Sequence, residues 1–266
     1  MPHATIDGVR IWYEERGEGP PLVLVQGLGN DHRPYHWLRE RLVGRARTVV
    51  LDNRGTGESD VPEGPYTIER MADDVAGLLD HLGIERTHLM GISLGGYVAL
   101  AFAIRHPGRL ARLVVGCSYM VGSPERLEMP GETVEVLTSR EGTPEEIARR
   151  GLAIALSERF RARRPDVFEE IVRFRVERPT SLEGYMAQLQ AGMTFDAEAG
   201  AAGIAAPTLV IHGDDDRVVP VARGRELAST IPGARLEILE GVGHQFFVEE
   251  PERTADLVAS FIGAGS

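Results

Sequence analysis

Three kinds of side chain stand where nucleophilic catalysis needs them. Gly91-Ile92-Ser93-Leu94-Gly95 is a G-x-S-x-G pentapeptide lying between an apolar, strand-like run and a helical one. That setting calls for a sharp strand-to-helix turn, and small residues two places either side of the serine let neighbouring backbone pass close by. A serine hydroxyl needs a base to take its proton, and the base needs an acid to orient it. Downstream, Thr208-Leu209-Val210-Ile211-His212-Gly213 enters a loop holding Asp214, Asp215 and Asp216, and Gly241-Val242-Gly243-His244 follows a last strand-like run. The order Ser93, Asp216, His244 is that of a nucleophile elbow of this type. Each residue follows the carboxyl end of its own strand, where sites in open parallel sheets collect. Spacing alone, however, leaves all three aspartates open. The chemistry is acyl transfer, whose developing oxyanion needs two backbone N–H groups. One of them belongs to Leu94, the residue after the serine.

The elements that must position these groups alternate. Asp7-Gly8 between Ala4-Thr5-Ile6 and Val9-Arg10-Ile11-Trp12-Tyr13 is a hairpin signal. Leu22 to Val25 and Thr48 to Leu51 are wholly apolar runs, suited to parallel strands buried on both faces. Helices are expected at about Pro34 to Leu42, Thr67 to Leu82 and Leu94 to Arg105, with strands at Thr87 to Ile92 and Leu113 to Val115. The beat resumes at Thr208 to Ile211, with a helix near Val221 to Thr230, a strand at Arg235 to Leu239 and a final helix from about Pro251. The fold class is therefore α/β, a mostly parallel sheet flanked by helices. Residues 1–120 and 204–266 form its core. Residues 121–203 carry no convincing strand and read as a helical insertion, with apolar stripes at Val167, Phe168, Ile171 and Val172 and at Leu182, Tyr185, Met186 and Leu189. A capping box at Thr180 and Glu183 is expected to open the second stripe.

Composition excludes several other chemistries. The net charge of −11 argues against nucleic acid as a partner. All 29 basic residues are arginine, which removes Schiff-base, P-loop and kinase-lysine mechanisms. One cysteine, Cys117, cannot build a thiolate zinc site or an internal disulfide, and it ends an apolar strand as a small core residue would. No H-E-x-x-H pair is present among the eight histidines. Gly27-x-Gly29 with Asp52 imitates a dinucleotide fingerprint, but position 32 is histidine rather than the third glycine. No apolar run approaches the roughly 18 residues of a membrane span, and no signal peptide is visible at the N-terminus. A cytoplasmic location is the expectation.

With these motifs in view, the chain resembles the α/β-hydrolase fold family over nearly its whole length. Asp52-Asn53-Arg54-Gly55-Thr56-Gly57-Glu58-Ser59-Asp60 resembles the family's D-x-R-G-x-G-x-S segment. Gly213-x-x-Asp216-x-x-Val219-Pro220 resembles its acid loop, and Gly243-His244 its histidine loop. That register implies Asp216 as the triad acid; relatives with the acid after the sixth strand have no counterpart here, where Gly116-Cys117-Ser118-Tyr119 holds no carboxylate. The segment Gln26-Gly27-Leu28-Gly29 resembles the family's H-G-x-G, which implies Leu28 as the second oxyanion donor, with Gln26 in place of the usual histidine.

The resemblance implies a serine hydrolase acting on a small or medium carboxylic ester or lactone. Ser93 is the nucleophile, His244 the base and Asp216 its orienter, with no cofactor or metal. The likeness is nearest to 3-oxoadipate enol-lactonase-like proteins. The same triad also serves proline iminopeptidases, C–C bond hydrolases and perhydrolases, and a non-catalytic ligand-binding member keeps the same residues. In this family an insertion after the sixth strand forms a lid. Phe160, Phe168, Phe174, Tyr185, Met186, Met193 and Phe195 are candidates to line a pocket under it, although helical spacing assigns most of them to packing. Ten arginines against eight acidic residues from Arg140 to Arg178 read as a salt-bridged, solvated helix surface, with an anionic substrate as the alternative.

Overall fold

The computed structural model describes residues 2–263. Eight strands form one sheet in the order β1-β2-β4-β3-β5-β6-β7-β8. They are β1 (His3–Ile6), β2 (Val9–Arg16), β3 (Pro21–Val25), β4 (Arg47–Leu51), β5 (Thr87–Ile92), β6 (Leu110–Gly116), β7 (Thr208–Gly213) and β8 (Arg235–Leu239). The β1–β2 and β2–β4 pairs are antiparallel and the rest parallel. The hairpin between β1 and β2 turns on Asp7 and Gly8, both at positive φ (45° and 81°), as a type I′ turn requires.

The apolar strands are explained by helices on both faces. In β3, Val23 and Val25 belong to one core cluster and Leu22 and Leu24 to the other. The first cluster is covered by α2 (Ile68–His81) and α3 (Leu94–Arg105), the second by α1 (His36–Leu42) and α13 (Pro251–Ile262). The chain leaves β3 towards β4 on one side and leaves β5 towards β6 on the other. A crevice for ligands therefore opens past the carboxyl ends of β3 and β5.

Between β6 and β7 lie seven helices: α4 (Pro124–Leu127), α5 (Gly131–Thr138), α6 (Pro144–Ala155), α7 (Glu158–Arg163), α8 (Pro165–Glu177), α9 (Leu182–Thr194) and α10 (Glu198–Ala201). A neck closes this segment. Val121 bridges Asp196, Gly122 N donates to Phe195 O (3.0 Å) and Ala197 N donates to Met120 O (2.8 Å). Helix α10 lies beyond the neck, where a Cβ on Gly200 would meet Ile104 Cδ1 of α3 at 2.6 Å. The expected capping box at Thr180 and Glu183 does not form. Helix α9 is capped by Ser181, whose Oγ accepts from Gly184 N (3.1 Å), because the Thr180 hydroxyl donates instead to Gly29 O (2.8 Å). A true box opens α6, between Thr143 and Glu146. After β7 and β8, α11 (Val221–Thr230) and the short α12 (Phe246–Glu249) complete the order; α12 begins two residues past His244 and had no sequence signal of its own. Among the described residues no helix is long and apolar enough to cross a membrane.

Candidate active site

Ser93 sits between β5 and α3 with φ 56° and ψ −122°, a conformation costly to any side-chain-bearing residue. Close packing enforces it. A Cβ on Gly91 would lie 2.0 Å from Gly95 O, and one on Gly95 would lie 2.2 Å from Val25 O. Both glycines of the pentapeptide are thus required by backbone contact. Ser93 N donates to Gly116 O (2.9 Å), and Ser118 Oγ donates to Ser93 O (2.8 Å), so the turn is pinned from β6 as well. Substituting Gly95→Ala is expected to cost about 3 kcal/mol, since a carbonyl of β3 cannot retreat from the added methyl. Urea denaturation measures this directly; a loss under about 0.5 kcal/mol would show that the turn has room.

Of the three aspartates, Asp214 and Asp215 are exposed and Asp216 is buried. Asp216 Oδ1 accepts from the N–H groups of Val218 (2.8 Å) and Val219 (2.9 Å). Its Oδ2 lies 2.8 Å from His244 Nδ1 and 3.3 Å from His212 Nε2. Burial opposes charge on this carboxyl, but the charge of His244 and hydrogen bonds from His212 and His244 outweigh it and hold Asp216 well below the usual carboxylate range. Asp214 plays a different part, since its Oδ1 accepts from Gly241 N (2.6 Å) and ties the acid loop to the histidine loop.

His244 uses Nδ1 on Asp216, which leaves Nε2 as the ring nitrogen available to a substrate-side proton. Its loop is braced by Glu249, which accepts from Gly243 N (3.1 Å) and from Ser157 N (2.8 Å). Burial pushes the Glu249 carboxyl up, against the pull of these hydrogen bonds. Ser93 and His244 line the same cavity of about 400 Å³, although among the described residues Ser93 Oγ makes no hydrogen bond to His244. Catalytic hydrogen bonds of this kind commonly tighten only with substrate in place.

Leu28 and Leu94 also line the cavity. Among the described residues neither N–H has an acceptor, as expected for Leu94 in the first turn of α3. A Cβ on Gly27 would lie 3.0 Å from Ser93 Cβ, so the loop after β3 passes directly beside the nucleophile position. Gln26 is buried; its Oε1 accepts from Gly27 N (3.2 Å) and its Nε2 has no partner. The D-x-R-G segment braces this loop. Asn53 Nδ2 donates to Gln26 O (3.0 Å), while Asp52 accepts from the N–H groups of His32 (2.8 Å) and Glu58 (2.9 Å). Arg54 is held by a buried two-pronged pair with Asp74 (2.7 and 2.6 Å).

Several contributors carried little or no sequence signal. His212 is fully buried; its Nε2–H donates to Val219 O (2.9 Å) beside Asp216, and its ring fits only because position 224 is glycine. Cys117 is buried as expected but stands one residue past the end of β6, at a positive φ of 44°, and its sulfur is grouped within 4.8 Å with ligand atoms of Asp216 and His244. Burial, then the nearby Asp216 charge, pushes this thiol well above its ordinary value, so it stays protonated and unreactive. Gln188 of α9 is fully buried, accepts from Gly29 N (3.0 Å) and donates to Arg54 O (2.8 Å), stitching the helical segment to both loops. Of the seven apolar candidates, only Tyr185 and Met193 line the cavity. Phe195 stacks on Tyr97, Phe174 packs by His36 and Trp37, and Phe160 and Phe168 join the second core cluster.

The sequence profile described as the alpha/beta hydrolase fold matches residues 20–251. Among solved structures, the chain is similar to an enol-lactonase from Burkholderia xenovorans LB400, with 32% identity, 98% of this chain and 100% of that chain covered, and a TM-score of 0.88. It is 33% identical to a 2-hydroxymuconate semialdehyde hydrolase of Pseudomonas putida, over 96% of this chain and 91% of that protein. It is 31% identical, over 98% of both chains, to a protein of Caulobacter sp. strain K31 for which a carbamate hydrolase role has been suggested.

Proposed function

Given that the chain belongs to the α/β-hydrolase fold family, we propose that it is a serine hydrolase of small or medium carboxylic esters or lactones. The single observation that carries the reading is the buried Asp216–His244 pair opening onto the same cavity as a conformationally strained Ser93. Ser93 Oγ attacks the carbonyl carbon as His244 Nε2 takes its proton. The N–H groups of Leu28 and Leu94 receive the oxyanion. The C–O bond to the leaving alkoxide breaks as His244 returns the proton to it, leaving an acyl-Ser93 ester. Water then attacks that ester with His244 as base, releasing the acid and restoring the serine. Residues 121–203 act as the lid over this cavity, and the small volume suits short and medium acyl groups.

The experiment is turnover of a chain-length series of p-nitrophenyl esters. The reading expects saturable hydrolysis that favours short and medium acyl chains over long ones. Binding without turnover would make this a ligand-binding member instead. The relative named as a 2-hydroxymuconate semialdehyde hydrolase favours C–C hydrolysis as the second reading. Turnover of 2-hydroxymuconate semialdehyde well above that of every ester would select it.

If the Leu28 N–H is an oxyanion donor, its loop must be held, and Gln188 holds it at Gly29. Replacing Gln188 by Leu strands Gly29 N–H and Arg54 O. A stability loss of about 2 kcal/mol and a roughly tenfold fall in kcat are expected. Denaturation and p-nitrophenyl acetate turnover measure the two; an unchanged kcat would detach Gln188 from the oxyanion loop.

A further inference from the structure

Several arginines of the helical segment meet carboxylates, and two that line the cavity do not. On the outer surface Arg126 pairs with Glu198, Arg149 with Glu145 and Glu169, and Arg164 with Asp166, as the salt-bridged reading of the sequence expects; Arg178 lines the cavity that holds Ser93 but is neutralised by Glu58 (2.8 Å). Arg140 and Arg175 differ. Both line the cavity that holds Ser93, and among the described residues neither has a carboxylate within ion-pair distance. No aspartate or glutamate lines that cavity, in a chain with 40 acidic residues against 29 basic ones.

Arg175 donates through one amino group to the neutral Asn30 Oδ1 (2.8 Å), while its Nε is buried without a partner. Burial pulls this guanidinium down to about 10, so it is still a cation at neutral pH. A desolvated cation lacking a paired counter-ion is a standing cost to the fold, and an anion entering the cavity relieves it. Arg140 is stacked 4.0 Å over the Tyr185 ring, and Tyr185 is itself anchored through its hydroxyl to Leu137 O (2.8 Å). Stacking covers one face of the guanidinium and leaves its N–H edges to hydrogen-bond. Arg175 also reaches the reacting centre through the loop beside it. Asn30, which holds Arg175, donates its N–H to Gly27 O (3.2 Å), and Gly27 lies against Ser93.

We propose that Arg140 and Arg175 form a carboxylate-binding subsite, and that the substrate is an ester or lactone carrying a second, free carboxylate, such as a half-ester of a dicarboxylic acid. The inference rests on the hydrolase reading above and narrows it. The net charge of −11 repels anions from the rest of the molecule, so a preference for them has to arise inside this cavity.

The test compares mono-p-nitrophenyl adipate with p-nitrophenyl methyl adipate, which differ only at the far end, a free carboxylate in the one and its uncharged methyl ester in the other. The wild type is expected to favour the carboxylate by roughly tenfold to a hundredfold in kcat/KM, mainly through KM, the range of a charge-assisted hydrogen-bond pair. Arg175→Met and Arg140→Met should each cut that ratio about tenfold, while Arg175→Lys retains part of it. Because the ratio is taken within one protein, partial misfolding of a variant does not move it. A wild-type ratio near one, or a ratio that neither Met variant changes, overturns the subsite. If neither ester is turned over, the hydrolase reading fails, and calorimetric titration of adipate into Ser93→Ala decides the subsite alone. Adipate binding that is weakened about tenfold in Ser93→Ala/Arg175→Met sustains the subsite, and no binding overturns it.

Discussion

Ser93→Ala is expected to lower kcat by about 10⁵-fold while leaving the fold intact. The size follows from the role: a triad whose nucleophile is removed loses nearly all its catalysis, because the remaining members have nothing to activate. The intact fold follows from the geometry. Ser93 Oγ makes no hydrogen bond among the described residues, and alanine keeps the same Cβ at the same φ of 56°. Stability should therefore stay within about 0.5 kcal/mol of wild type. Ser93→Gly should be equally inactive yet more stable by about 1 kcal/mol or more, since glycine tolerates the positive φ that a side chain does not. Thermal denaturation of the two variants beside their turnover separates the strain from the chemistry. Equal stability of Ser93→Gly and wild type would mean that the turn stores no strain.

Asp216→Asn is expected to be the second-largest effect, a fall in kcat of about 10⁴-fold together with a loss of stability. The amide cannot present two acceptor oxygens, yet Asp216 meets Val218 N, Val219 N, His212 and His244. Its NH₂ faces a donor whichever way it turns, and the His244 tautomer is no longer imposed. The stability loss is set by the same burial, about 3 kcal/mol for breaking a buried charge pair. Its pH dependence has a definite sign. The folded carboxyl is held well below its ordinary value of about 4. Its contribution is therefore complete above about pH 4 and is lost as pH falls below that towards the folded value. The gap in unfolding free energy between wild type and Asp216→Asn should accordingly be widest near neutrality and shrink in acid. A gap that grows in acid would contradict the assignment of Asp216 as an ionised partner of His244.

Much of the scaffold could be read from the chain because its signals are local. The hairpin at Asp7-Gly8 depends on two residues that accept positive φ, and the apolar strands at Leu22 to Val25 and Thr208 to Ile211 depend on burial from both sides. The candidate triad was legible because strand ends and chain order converge, and a register resemblance separated Asp216 from two exposed neighbours. What was not legible depends on contacts across long separations. Gln188 reaches Gly29 across 159 residues, and nothing in the pattern of α9 marks it. Thr180 looked like a helix cap because its spacing to Glu183 fits, but a carbonyl from residue 29 captures its hydroxyl. The arginines between 140 and 178 look alike in sequence, and only the fold separates those that meet carboxylates from the two that line the cavity without one. His212 lay inside a motif that was read for its neighbour; its contact with Asp216 follows from a ring that fits against Gly224.

The central claim is that Ser93 is a nucleophile activated by His244. Its most direct test is covalent capture with an alkyl fluorophosphonate, in which a serine oxygen displaces fluoride and forms a stable phosphonyl ester. After digestion, peptide mass spectrometry should find one adduct, on the peptide containing Ser93. Labelling should be absent in Ser93→Ala and slowed by orders of magnitude in His244→Ala. An adduct on another residue, no adduct at all, or equal labelling rates in wild type and His244→Ala would contradict the account.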